Sequence, residues 1–170
     1  GLARALEIAR QTCEALDAIH GVGLVHCDIK PENLVLVQRD GREVVKVIDF
    51  GVARRRDPAE HRPIRVDQLV GTPQYMAPEQ TCAGELDHRA DLYALGTVLF
   101  ELVTGRPPFR VHDDLNAMIG VLLFAEPPIP SECVALPSHV RGAIDSVIAR
   151  CLAKDPAQRP RDARSVAREL

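Results

Sequence analysis

The sequence predicts a mainly α domain with a small β-hairpin. Three features of its 170 residues carry this expectation. Apolar residues recur at steps of three and four over most of the chain. Two short apolar runs flank an Asp-Gly pair, and a long polar stretch follows them. A chain of this length supports one domain with a sizeable core.

In residues 2–20, Leu2, Leu6, Ala9, Cys13, Leu16 and His20 line one helical face. The runs 34–37 and 44–48 enclose Arg39-Asp40-Gly41-Arg42, which reads as a hairpin. Residues 52–70 hold two prolines, five arginines and little periodicity, the marks of a long polar loop. Asp87 is placed to cap a helix running to about Val103, with Asp91 in its first turn. Residues 92–100 are apolar on all sides, so this helix is expected to be buried around its circumference, and Gly105 with Pro107-Pro108 ends it. Amphipathic helices are expected over 113–124, 138–152 and 162–170, the first two linked by the proline-rich segment 126–130.

The chain is 46% hydrophobic and 26% charged, an ordinary globular composition, with a net charge of −3. That balance argues against binding to nucleic acid or to a membrane surface. No apolar run approaches the roughly 18 residues of a membrane span. Five widely spaced cysteines without a CxxC pair indicate reduced thiols, hence a cytoplasmic setting, or the cytoplasmic face of a membrane if a longer protein is anchored. The chain opens on Gly1 rather than Met, so either the start has been processed or this is a piece of a longer protein.

Two carboxylates flank the expected hairpin. Asp28 lies in His26-Cys27-Asp28-Ile29-Lys30-Pro31-Glu32-Asn33, just before the first strand, and Asp49 lies just after the second. A hairpin brings its ends together, so Asp28, Lys30, Asn33 and Asp49 should converge. Two carboxylates, an amide oxygen and an ammonium suit Mg²⁺ bound to phosphate oxygens, the set that phosphoryl transfer needs.

Residues 26–33 resemble the protein-kinase loop H-R-D-x-K-x-x-N, and Asp49-Phe50-Gly51 matches D-F-G. Gly71 to Glu79 is similar to the family segment ending in A-P-E, residues 91–96 to its buried central helix, and Arg159-Pro160 to its late arginine. The order and spacing agree from residue 2 to 170. The resemblance is to the carboxyl-terminal lobe of bacterial eukaryote-like Ser/Thr kinases, so residues 1–170 are expected to be a partial catalytic domain whose amino-terminal lobe is missing.

That resemblance implies ATP and Mg²⁺ as cofactors and a protein Ser/Thr hydroxyl as acceptor. Asp28 would be the base, Lys30 would contact the γ-phosphate, and Asn33 and Asp49 would hold Mg²⁺. Val35 would form the floor beneath adenine. Thr72 after Gly71, hydrogen-bonded to Asp28 and Lys30, is the Ser/Thr-kinase pattern, and Val52 after D-F-G implies a preference for Thr acceptors. His26 and Phe50 would join the apolar column that aligns the lobes, Asp91 would accept bonds from the loop backbone, and Glu79 and Arg159 would form a buried ion pair.

Two departures from the family stand out. Cys27 replaces the Arg that grips a phosphorylated activation loop, and residues 52–71 contain no Ser, Thr or Tyr. No glycine-rich loop or ATP-anchoring Lys precedes the matched region, so the chain alone is expected to show no appreciable kinase activity. A pseudokinase scaffold and a truncated lobe acting as an interaction fragment are the rival readings. Taken singly, His26 reads as a packed core histidine and Cys27 as a passive small residue. The five-arginine stretch reads as a solvated segment. His61, His88, His112 and His139 lack metal-ligand spacing and read as exposed or capping residues.

Overall fold

A computed structural model of the chain describes residues 1–50, 54–55, 73–81, 86–110 and 114–170, with backbone alone at 54–55. The first helix, α1 (Leu2–Gly21), buries Ala5, Ala9, Thr12, Cys13 and Leu16, one stripe at helical spacing. A two-residue strand β1 (Leu24–Val25) leads to a loop and a single 3₁₀ turn, Pro31–Asn33.

Strands β2 (Leu34–Arg39) and β3 (Arg42–Val47) pair antiparallel in the register Leu34 with Val47 and Arg39 with Arg42. The two residues between them, Asp40 and Gly41, both have positive φ, 51° and 74°. This is the conformation a two-residue hairpin turn requires, and Asp-Gly adopts it at low cost. The outer edge of β3 is tied to α1: Gln11 accepts from Val45 N–H at 2.8 Å and donates to Glu43 O at 3.1 Å. A side-chain amide thus takes the place of a neighbouring strand.

A second pairing departs from the sequence expectation. Strand β4 (Arg54–Arg55), inside the stretch read as a loop, pairs with β1, Leu24 with Arg55 and Val25 with Arg54. The rest of that stretch lies outside the described residues.

Helix α2 (Arg89–Thr104) runs through the centre of the fold, with every residue from Ala90 to Phe100 buried. Gly105 closes it at φ 78°, its N–H bonded to Glu101 O at 2.7 Å. Helices α1 and α5 (Ser138–Cys151) pack against α2, and α6 (Ala163–Ala167), capped by Asp162, packs on α1. A short helix α4 (Pro130–Cys133), not expected from the sequence, starts at the end of the proline-rich segment.

Helix α3 (Leu115–Phe124), capped by Asp114, buries Met118 and Leu122 in a small cluster with Phe109. Lys154 fixes its end, donating to Leu122 O at 2.7 Å with its ammonium 4.6 Å from the centre of the Phe109 ring. Burial pushes that ammonium down to about 8.

Helices α2 and α5 pack tightly at Gly96, where an added Cβ would lie 2.5 Å from Cys151 Cβ and 3.3 Å from Leu152. Gly96→Ala gains about 1 kcal/mol of helix propensity. It overpacks the α2–α5 contact at a cost of about 1–3 kcal/mol, at the upper end because a Cβ cannot swing aside. The variant is expected to melt several degrees lower, and an unchanged or raised melting temperature would contradict this packing. Burial also pushes the Cys13 and Cys151 thiols up to about 12, which keeps them as inert core residues.

Candidate active site

The 26–33 loop is held from behind by one buried carboxylate. Asp91, fully buried in the first turn of α2, accepts from His26 N–H and Cys27 N–H, both at 2.8 Å, and from His20 Nε2–H at 2.8 Å. From the other side Gln80 donates to Cys27 O at 2.9 Å, while its own oxygen takes Ala77 N–H at 2.8 Å. Cys27 is thereby fixed at φ 66°. A β-carbon in that conformation costs about 1–3 kcal/mol and persists only where the surroundings over-determine it. The strain sits one residue before Asp28.

Asp28 is met by two partners from its own loop. Lys30 Nζ lies 2.8 Å from its Oδ2, and Asn33 Nδ2 donates to the same oxygen at 3.0 Å and to Asp28 O at 2.8 Å. Both contacts fall on Oδ2, and Oδ1 meets no donor among the described residues. The 3₁₀ turn that Pro31 starts folds Asn33 back onto Asp28.

Asp49 reaches the loop through its neighbours. Ile48 N–H donates to Asn33 O at 3.0 Å, and His26 Nε2–H donates to Ile48 O at 3.1 Å. On the other side of Asp49 the Phe50 ring lies 4.9 Å from the His26 ring. Asp49 therefore sits between two anchored residues, at φ 64°, a left-handed conformation that Asp tolerates. His26 is fully buried with both ring nitrogens engaged, since Nδ1 accepts from Asp28 N–H at 3.3 Å. Such a ring fixes the loop and has no nitrogen left to relay a proton.

The sequence model of the protein kinase domain matches residues 2–169. The chain belongs to the protein kinase domain family. It is 44% identical over 158 residues to the serine/threonine-protein kinase Pkn1 of Myxococcus xanthus, covering 91% of this chain and 22% of that protein. It is 39% identical over 170 residues to pkn3 of the same organism, covering 98% and 31%. Identity to PknD of Mycobacterium tuberculosis is 42% over 158 residues, covering 92% and 22%. The chain thus spans between about a fifth and a third of the length of these curated relatives.

Two further parts of this kinase domain surround the loop. Arg159, its side chain fully buried, forms a bidentate pair with Glu79 at 2.6 and 2.8 Å. The hydroxyl of buried Tyr75 donates to Glu101 at 2.6 Å. Burial, then that bond, holds the Tyr75 phenol well above its ordinary range. Ile48 and Phe50, on either side of Asp49 in the chain, leave apolar surface exposed at 42% and 46%, as does Val35 on β2 at 37%. Thr72, Gly51 and Val52 lie outside the described residues.

Mg²⁺ fits the donors present. Asn33 spends its amide nitrogen on Asp28, so its amide oxygen is turned away from that carboxylate. That oxygen and the carboxylate of Asp49 are hard oxygen donors of the kind Mg²⁺ takes beside phosphate oxygens and water. No helix among the described residues is long and apolar enough to cross a membrane. Sequence reading passed over Gln80 and His20, because each acts through a single polar contact with a distant segment. His88, expected to be exposed or capping, stands at the N-cap position of α2, with its ring against that of His20.

Proposed function

We propose that this chain is the carboxyl-terminal lobe of an ATP- and Mg²⁺-dependent protein serine/threonine kinase. The observation that carries this reading is the Asp28 carboxylate, held through one oxygen by Lys30 and Asn33 and meeting no donor at the other among the described residues, in a member of the kinase family. In the reaction, a substrate Ser or Thr hydroxyl attacks the γ-phosphorus in line. The bond to the β–γ bridging oxygen breaks, ADP departs, and the hydroxyl proton passes to Asp28 Oδ1. Lys30 reaches from Asp28 toward the transferred phosphoryl group, and Asn33 keeps Asp28 aimed. Asn33 and Asp49 would hold Mg²⁺, which neutralises charge on the phosphate oxygens when bound.

Val35 supplies an apolar floor for adenine, and the exposed Val35, Ile48 and Phe50 are the surface that an amino-terminal lobe covers. Val52 supports a preference for Thr acceptors. The test is transfer of phosphate from ATP to a protein substrate by the full-length protein, with Mg²⁺ and with EDTA. Metal-dependent transfer to Ser or Thr is expected, and its absence from a folded full-length preparation would overturn the reading.

This kinase is expected not to be switched by phosphate on its 52–71 segment, which has no hydroxyl residue, just as position 27 has no arginine to receive one. Mass mapping of the active full-length protein should find Thr72 unmodified. A Thr72 phosphate on which activity depends would refute that expectation.

A further inference from the structure

Behind the 26–33 loop lies a cluster of titratable side chains that the proposed reaction does not use. His20, in the last turn of α1, donates through Nε2 to Asp91. His88 stands three residues before Asp91, so the two share a helical face and both meet His20. The His88 ring lies 5.4 Å from that of His20 at 64°, edge to face. Its Nε2–H donates to Arg161 O at 2.9 Å, on the segment leading into α6. The Nδ1 atoms of both histidines are buried and meet no hydrogen-bond partner among the described residues. The neighbouring Asp87 stands 4.0 Å from His88 Nδ1 and is itself paired with Arg89.

We propose that His88 is a positioning residue for Asp28, acting through His20 and Asp91. The inference rests on the kinase reading above. Two of the three donors to Asp91 are backbone N–H groups and stay with the chain. The third belongs to a side chain with two rotatable torsions, and no bond at its Nδ1 holds the ring in place. Contact with His88 supplies that restraint, and the Arg161 carbonyl in turn fixes His88. Without the His88 ring, His20 turns away and the buried carboxylate loses a donor. Asp91 then no longer holds Cys27 firmly in its strained conformation, and Asp28 is the next residue. The cost of one lost bond to a buried charged group corresponds to a change of roughly tenfold.

The test compares His88→Ala with His88→Phe in the full-length protein, reading steady-state kinetics and amide hydrogen exchange. His88→Ala should lower kcat about tenfold with the KM for ATP within about twofold. It should also speed exchange at the His26 and Cys27 amides while Leu95 stays protected. His88→Phe keeps a ring against His20 and should restore both readouts. Wild-type kcat in His88→Ala, unchanged exchange at His26 and Cys27, or equal losses in the two variants would each overturn the proposal. If the wild-type protein transfers no phosphate, the kinase reading falls, and the exchange comparison still decides whether His88 holds the loop.

Discussion

Replacing Asp28 by Asn in the full-length protein is expected to lower kcat roughly a hundred- to ten-thousandfold, the range for losing a positioned proton acceptor. The KM for ATP should stay near its wild-type value, because in the proposed reaction Asp28 serves the attacking hydroxyl and not the nucleotide. The amide has the size of the carboxylate and keeps one oxygen to face Lys30 and Asn33, so the loop retains its shape. Folding and chemistry are therefore separable in this variant. An Asp28→Asn protein with the melting temperature of the wild type and a turnover within about twofold of it would remove Asp28 from the mechanism. Ala at the same position is less informative, since it also strands the Lys30 ammonium.

Asp28, Lys30 and Asn33 are legible in the sequence because they lie within six residues and a single turn folds them together. The approach of Asp49 is legible at one remove. Asp40-Gly41 fixes the hairpin register, and the register delivers Ile48 to Asn33. Helix α2 is equally plain, since residues 92–100 offer no polar face for solvent. What escapes is whatever depends on a single polar residue meeting a remote one. His20 finds Asp91 across 71 positions, Gln80 finds Cys27 O across 53, and His88 finds Arg161 O across 73. None of these has a periodic or local signature. Arg54-Arg55 has no strand signature either, and its pairing with Leu24-Val25 is imposed by where the chain returns after the hairpin.

Arg159→Ala should destabilise the domain by about 3–5 kcal/mol, the usual cost of stranding one member of a buried ion pair. All of its donor capacity is committed. Nη1 and Nη2 grip Glu79, Nη1 also reaches Arg89 O at 2.8 Å, Nε reaches Ala153 O at 2.9 Å, and Nη2 reaches Lys154 O at 3.2 Å. The guanidinium also lies 5.0 Å from the centre of the buried Tyr93 ring. One side chain thus joins the start of α2, the segment after α5 and the 3₁₀ turn Pro78–Thr81. Against a total stability of about 5–15 kcal/mol, the loss lowers the melting temperature by roughly 6–20 °C for a domain of this size. Arg159→Lys should be nearly as damaging, because one ammonium cannot reproduce a two-pronged contact and three carbonyl bonds. Glu79→Leu combined with Arg159→Met should recover part of the loss, since neither charge is then left buried alone. A melting temperature within about 2 °C of wild type in Arg159→Ala would show that water reaches Glu79 and that the pair is not buried. The same variant carries a functional consequence through Gln80, which sits beside Glu79 and holds Cys27 O. Activity should therefore fall in Arg159→Ala even at temperatures where the domain remains folded.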